Sequence, residues 1–399
     1  MKIDVKMEME WSTKGVGPFL VITVVLENSE VPAANAALTF GDWIADKIVS
    51  LYPIAAGIKA VLTLIYGKLT PEIGDKNKGY GVVIITHVPM GGVGVPYSIV
   101  KTRTKKVIPL PLGLNLTPSL VAFQNKLWAS FIANDRTNNV QICSSPDGLI
   151  WSNKISIGQT AQLGSSPSIE VFNNKLWICF VACNPTNDIL VCSSGDGLNW
   201  SPNSQIAQTA LFCTSPSLTV FQNKLWVSFV AKNDTHNVLV CSFDGTNWTN
   251  NTQIGQTAQT GTSPSIEVYH NKLWICFIAF NPTNDILACS SNGINWTNNV
   301  QIGQTAQIFS SPSLAVFNGK LWVAFVAKNE TNNVLVSSFD GTNWTNNTQI
   351  GQTAQNDTSP SLAVFKNRLW VSFVAKNNTY DRLICSSADG INWSNNTVI

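Results

Sequence analysis

Ser311-Pro312-Ser313-Leu314-Ala315-Val316-Phe317, followed by Lys320-Leu321-Trp322-Val323-Ala324-Phe325-Val326-Ala327, then Asn333-Val334-Leu335-Val336 and Asp340-Gly341-Thr342-Asn343-Trp344, is one copy of a unit that recurs six times from about residue 117 to residue 399. The first tryptophan of each copy falls at Trp128, Trp177, Trp226, Trp274, Trp322 and Trp370, and the second at Trp151, Trp200, Trp248, Trp296, Trp344 and Trp393, a period of 48 or 49 residues. Aromatic and β-branched residues fill short runs, and Asn-Gly, Asn-Asn and Asp-Gly pairs separate them, so the unit reads as strands and hairpins with no helical periodicity. Four strands are expected per copy, in the fifth copy Ser313 to Phe317, Lys320 to Ala327, Val334 to Ser337 and Asn343 to Ile350. One such antiparallel meander cannot bury both of its faces, whereas six arranged radially can. The expected fold is mainly β: a six-bladed propeller of four-stranded antiparallel blades.

The repeat divides the 399 residues into a module spanning 1–108 and a propeller spanning 109–399. The sixth copy carries its own fourth strand near Asn392-Trp393-Ser394, although Lys105-Lys106-Val107-Ile108 aligns with the end of a fourth strand and offers an alternative closure by strand exchange. The N-terminal module reads as α+β. Its strands are expected at Ile3 to Trp11, Phe19 to Glu27, Tyr80 to His87 and Tyr97 to Thr104, with an apolar helical stretch from Ala34 to Leu69 interrupted at Pro53. The apolar run from Ile54 to Tyr66 contains Lys59 and is shorter than the ~20 residues that cross a bilayer. Gly91-Gly92-Val93-Gly94-Val95 lacks the lysine and helix of a phosphate loop and reads as a flexible hairpin.

Charged residues make up only 12% of the chain and net charge is +2, which leaves no basic stripe to follow a nucleic acid. The first residues alternate charged and apolar side chains and lack the continuous apolar segment of a secretory leader, so the expected location is cytoplasmic or reached by a non-classical route. Cys143, Cys192, Cys241, Cys289 and Cys385 share one repeat position, too far apart in neighbouring blades to pair, and read as small buried strand residues. Asn-x-Thr triplets such as Asn247-Trp248-Thr249 recur with the hairpins and read as turn residues.

The turn Ser-x-Asp-Gly-x-x-Trp occurs as Ser145-Pro146-Asp147-Gly148-Leu149-Ile150-Trp151 and as Ser387-Ala388-Asp389-Gly390-Ile391-Asn392-Trp393, with Asp196, Asp244 and Asp340 at the same place in three other copies and Asn292 in the fourth. It resembles the Asp-box, or bacterial neuraminidase repeat, of sialidase-like propellers, one residue shorter between Asp and Gly. The resemblance implies a structural hairpin between the third and fourth strands, its carboxylate accepting backbone hydrogen bonds and its Trp packed between blades. It also invites a catalytic reading. A sialidase needs an arginine cluster, a Tyr–Glu pair and an acid, whereas the repeats hold Arg136, Arg368 and Arg382 as their arginines and Tyr269 and Tyr380 as their tyrosines. Glu170 and Glu267 stand at equivalent first-strand positions in different blades, and His87, His236 and His270 show no metal-ligand spacing. No enzyme, cofactor or metal is expected.

Chain direction puts the second-to-third-strand loops and the inter-blade loops on one face of a propeller. That face is expected to bind ligand through Gln159, Thr160, Gln256, Thr257, Gln304, Thr305, Gln352 and Thr353 in the Gly-Gln-Thr segments, and through Lys232, Asn233, Lys328, Asn329, Lys376 and Asn377. Neutral amides and hydroxyls pair with sugar hydroxyls as donors and acceptors, and six near-equivalent sites add avidity. In general plan the chain is similar to propeller lectins. The expected function is thus a multivalent lectin docking on neutral surface glycans, with an N-terminal module that oligomerises the chain or acts on membranes as a toxin does; the alternative is a protein- or peptide-binding scaffold whose loops are alike through duplication alone.

Overall fold

The computed structural model describes residues 4–11, 18–26, 82–89, 97–102 and 117–399, the last apart from 134–136, 163 and 378. The chain forms two units, Met1–Gly113 and Leu114–Ile399. In the first, β1 (Asp4–Trp11), β2 (Pro18–Leu26), β3 (Val82–Pro89) and β4 (Tyr97–Thr102) form one antiparallel sheet in sequence order. The four expected strands are there; the expected helical stretch and the Gly91–Val95 segment lie outside the described residues.

The second unit is the expected six-bladed propeller, each blade a four-stranded antiparallel sheet in sequence order. Blade 1 comprises β5 (Ser119–Phe123), β6 (Lys126–Ile132), β7 (Asn139–Ser145) and β8 (Ile155–Thr160), and blades 2 to 6 repeat it at 168–209, 217–257, 265–305, 313–353 and 361–398. First and second strands are joined by two-residue turns with both residues at positive φ, such as Gln124 (47°) and Asn125 (59°), the mirror-image turn that matches strand twist and that Asn tolerates. The six largest fully buried side chains, Phe131, Phe180, Phe229, Phe277, Phe325 and Phe373, come one per blade from the second strands. Each hydrophobic cluster spans two blades: Ile142 and Phe123 of blade 1 pack with Phe180 and Cys192 of blade 2, and the pattern continues round to Phe365 and Trp370 of blade 6 against Leu120 and Phe131 of blade 1. Burial pushes the Cys143, Cys192, Cys241, Cys289 and Cys385 thiols up to about 12, which keeps them protonated and apolar in character.

The fourth strand differs from expectation. It runs Thr348–Thr353 in blade 5, not Asn343 to Ile350. Asp340 Oδ1 accepts the Thr342 and Asn343 N–H groups at 2.8 Å, and Trp344 bridges back to Phe339. The Asn and Trp with strand-like neighbours are therefore spent on the hairpin. The ladder to the third strand resumes at Thr348 and Gln349 and then shifts register before Thr353 pairs with Asn333. Gly351 sits in that bulge at φ 77°, a conformation glycine adopts without strain. The Gly-Gln-Thr segments thus belong to the outer strands and not, as expected, to the inter-blade loops.

At the seam, blade 6 is completed by its own fourth strand, Thr397–Val398, on the Arg382–Ser387 strand, and Ile399 N–H donates to Arg382 O at 2.9 Å. Residues 105–108 lie outside the described set. Blade 6 meets blade 1 through Thr117 Oγ1 to Ser359 O (2.6 Å), Ser372 Oγ to Pro118 O (3.0 Å) and Arg382 Nη2 to Ile132 O (2.6 Å).

Candidate functional site

The expected binding residues fall into two sets with different occupations. Gln159, Gln256, Gln304 and Gln352 each accept a hydrogen bond through Oε1 from an Asn side chain of the next blade, namely Asn203, Asn299, Asn347 and Asn396, at 2.5–2.6 Å. They clasp neighbouring blades at the outer rim. The adjoining Thr160, Thr257, Thr305 and Thr353 are exposed at the ends of their strands.

The lysines are also stitched. Lys232 Nζ donates to Pro185 O and Thr186 O of the preceding blade at 2.9 and 3.2 Å, Lys328 Nζ to Pro282 O and Thr283 O at 3.0 and 3.4 Å, and Lys376 Nζ to Glu330 O at 2.9 Å. Asn233, Asn329 and Asn377 use Oδ1 to accept the N–H of Asn237, Asn333 and Asp381 within their own loops. The side chains of Asn233, Asn329 and Asn377 are exposed.

Two rings of hydroxyls encircle the axis. Ser166 N–H donates to Ser215 Oγ, Ser215 N–H to Ser263 Oγ, Ser263 N–H to Ser311 Oγ and Ser311 N–H to Ser359 Oγ, all at 2.7–2.8 Å, and Ser359 N–H reaches Thr117 Oγ1 at 3.2 Å. One residue pair further along, Ser119, Ser168, Ser217, Ser265 and Ser313 accept the Ile169, Leu218, Ile266, Leu314 and Leu362 N–H groups. The Ser-Pro-Ser corners line a cavity of about 90 Å³. Glu170 and Glu267 lie one strand step past these rings. Both are only partly accessible; Glu170 Oε1 accepts Val171 N–H at 2.6 Å and Glu267 Oε1 accepts Val268 N–H at 2.7 Å. Burial raises Glu170 to about 8, with the neighbouring Glu267 carboxylate adding to the rise. Burial likewise raises Glu267 to about 7, against hydrogen bonds from Val268 N–H and the Thr219 hydroxyl that hold it down. The two first-strand carboxylates thus act on each other electrostatically across blade 3.

Of the remaining charged and phenolic groups of the catalytic comparison, Arg136 lies outside the described residues and the others are committed to the fold. Arg368 donates to the Ser386 hydroxyl and carbonyl. Arg382 is 7% exposed and lies over the Phe131 ring at 4.4 Å. Tyr269 donates to Gly319 O at 3.1 Å, and Tyr380 is buried. Among the described residues no group of three His, Cys, Asp or Glu side chains has metal-binding geometry.

The opposite face, built from the two-residue turns and the Asp-Gly hairpins, holds features that sequence reading missed. At three blade junctions the second-strand Trp is buried against a glycine of the next hairpin: a Cβ on Gly197 would lie 2.1 Å from Trp128, and Gly390 and Gly148 stand in the same relation to Trp322 and Trp370. At the 2/3 and 4/5 junctions a phenylalanine intervenes. Phe243 lies 5.4 Å from Trp177 and stacks on Trp248 at 5.1 Å; Phe339 lies 5.2 Å from Trp274 and stacks on Trp344 at 5.2 Å. All six rings are half-buried. His270 stacks on Tyr269 at 3.9 Å beside the second group. The signal was present in the sequence: Phe243 and Phe339 stand where the other blades carry Ser145, Ser194, Ser291 and Ser387.

No family model and no curated protein matches the chain. Among solved structures, the lectin SapL1 in complex with alpha methyl fucoside superposes with a TM-score of 0.57 at 13% identity, over 73% of this chain and 98% of that one. The lectin of Aleuria aurantia, described as a six-bladed propeller with a novel fucose recognition mode, superposes with a TM-score of 0.54 at 14% identity, over 71% and 96%. AofleA from Arthrobotrys oligospora gives 0.56 at 11% identity, over 72% and 87%. What the chain shares with these proteins is the six-bladed propeller fold.

Proposed function

We propose that the propeller is a non-enzymatic, multivalent carbohydrate-binding module. The observation that carries this reading is the pair of half-buried aromatic stacks, Trp177–Phe243–Trp248 and Trp274–Phe339–Trp344, each open to solvent at a blade junction. Partly exposed rings offer a flat apolar face to the C–H side of a pyranose, while nearby amides take its hydroxyls. Asn173 and Asn174 form the turn after Phe172, whose ring meets Phe243 edge-on, and Asn271 stands in the turn after Tyr269, whose ring meets Phe339 edge-on. On the other face, the exposed Asn233, Asn329, Asn377, Thr160, Thr257, Thr305 and Thr353 are proposed as further polar contacts. Lys232, Lys328, Lys376 and the four rim glutamines support them by holding loops and blades in place. Fold neighbours described as bound to alpha methyl fucoside or as recognising fucose support a sugar as the ligand class. The Asp-Gly hairpins are proposed as a short Asp-box, since the Asp340 carboxylate serves backbone N–H groups of its own turn. The N-terminal unit is proposed to raise valency by oligomerisation, with membrane action as its alternative role.

A glycan array probed with the full chain tests the reading. Binding is expected, and Phe243→Ser with Phe339→Ser, which restore the residue found in the other blades, are expected to weaken it by about 3- to 10-fold per site. Silence across the array, or binding indifferent to both substitutions, would overturn the assignment to these stacks and favour a protein ligand.

A further inference from the structure

In a chain that copies itself so closely, a paired departure from the copy is informative. The loops of blades 3 and 4 depart at two residues that touch. At the 2/3, 4/5 and 5/6 junctions a lysine from the later blade places its ammonium on backbone carbonyls of the earlier blade's second-to-third-strand loop, on two of them at 2/3 and 4/5. At the 3/4 junction the lysine position is Phe280, whose ring is 55% exposed and stands edge-on to His236 at 5.7 Å. The counterparts of Pro185 O and Thr186 O are then Asp234 O and Thr235 O, to which no side chain among the described residues donates.

His236 is itself the second departure. Asn187, Asn284 and Asn332 occupy its position in blades 2, 4 and 5, each buried and accepting through Oδ1 from Gln162, Gln259 or Gln307. Leu211 replaces the glutamine before blade 3, and His236 turns instead to Thr260, with Nδ1 3.3 Å from its hydroxyl. The Asp234 carboxylate lies close enough to act on His236 electrostatically, and burial, the larger effect, holds the imidazole below its usual range and so neutral near pH 7. Phe280 is therefore a solvent-facing ring braced by a neutral imidazole, beside two open carbonyls and a carboxylate.

We propose that the 3/4 junction binds the ammonium group of a ligand, which takes the place that Lys Nζ holds at the 2/3, 4/5 and 5/6 junctions. Asp234 O and Thr235 O receive its N–H groups, the Asp234 carboxylate balances its charge, and the face of Phe280 covers it. The lysines of the 2/3 and 4/5 junctions show that the equivalent carbonyl pair accepts a primary ammonium at 2.9–3.4 Å. Resting on the carbohydrate reading above, the ligand is a sugar with a free amine. Among the described residues the site is single where the aromatic stacks are plural, so it adds a distinct specificity to one sector of the ring.

The full chain is titrated near neutral pH with glucosamine, N-acetylglucosamine and n-butylammonium chloride, following the Phe280 and His236 ring signals by NMR. Glucosamine and butylammonium are expected to saturate one site per chain, and N-acetylglucosamine to leave these signals unmoved. Phe280→Lys restores the stitch of the neighbouring junctions and is expected to abolish both responses; Phe280→Leu, which keeps an apolar cover without a ring face, is expected to weaken them by about 2- to 30-fold. Undiminished binding in Phe280→Lys, or no preference for the free amine, would overturn the proposal. A response to butylammonium without one to glucosamine would overturn the sugar assignment, while a silent array beside a saturating, Phe280-dependent amine response would count against the multivalent lectin reading and for this site.

Discussion

Glu170→Gln is the sharpest probe of how the axis is built. A carboxyl whose value rises from 4.5 to about 8 on folding binds a proton in the native state that the unfolded chain has released, so between those values stability falls as pH rises. Below about pH 4.5 the side chain is protonated in both states and the burden vanishes. Full conversion of the rise gives an upper bound of about 5 kcal/mol. Glu170 retains some accessibility along the axis, and Val171 N–H bonds its carboxylate, so an effect of about 1–2 kcal/mol is expected. Glutamine has nearly the same shape and never ionises. Urea unfolding of both proteins at pH 4.5 and pH 8.5 should therefore give equal midpoints at the acid value and a more stable variant at the alkaline value. Glu267→Gln should act in the same direction, and the two should be less than additive because each carboxylate raises the cost of the other. An advantage of equal size at both pH values, or a loss at pH 8.5, would show that the two groups do not share a confined space around the axis.

Gly197→Ala should cost about 2–4 kcal/mol in denaturant unfolding, because a methyl group at φ 76° meets Trp128 at 2.1 Å, whereas Gly351→Ala, with open space at nearly the same φ, should cost only about 1 kcal/mol. Asp340→Asn should be nearly neutral by differential scanning calorimetry, since Asn292 already serves the same two backbone N–H groups in blade 4, while Asp340→Ala should lower the melting temperature. Hydrogen bonds from Asn343 and Thr342 hold the Asp340 carboxyl below its usual range, so the penalty of Asp340→Ala should be present at neutral pH and shrink as pH falls through that lowered value, opposite in sense to Glu170. Removing a rim clasp with Asn347→Ala should leave the melting temperature within about 2 °C of the parent, as befits an exposed side-chain pair.

The architecture was legible because the tryptophans fix the period and the apolar runs of the first three strands are buried, continuously so along the second strand. Leu314, Phe317, Leu321 and Phe325 are all buried, Leu314 toward blade 4 and Phe317 toward blade 6, as a blade packed on both faces requires. The fourth strand was misplaced because Asn343, Trp344 and Thr345 look like strand while a carboxylate seven or fewer residues away folds them into a turn. The roles of Lys232 and Gln256 were hidden for a different reason. Their partners, Pro185 O and Asn299, lie more than 40 residues away in a neighbouring copy, and a repeat read one copy at a time shows no bonds between copies. Phe243, Phe339, Phe280 and His236 were readable as departures from the consensus, but which departures meet in space depends on the handedness and stacking of blades. The proximity of Glu170 to Glu267 required the same information.

The sixth blade's self-sufficiency has an implication for ancestry. Among the described residues no strand is lent across the seam, so the 48-residue unit is also the unit of pairing, and a duplication or deletion at an inter-blade loop hands down a whole sheet. Blades 2 and 4 share Asn-Pro-Thr-Asn-Asp loops and blades 3 and 5 share lysine-led loops, the trace of growth in pairs. Such a lineage can change its blade number in a single genetic event and meet selection with each product already folded, leaving the interfaces at the join as the sole place where adaptation must follow.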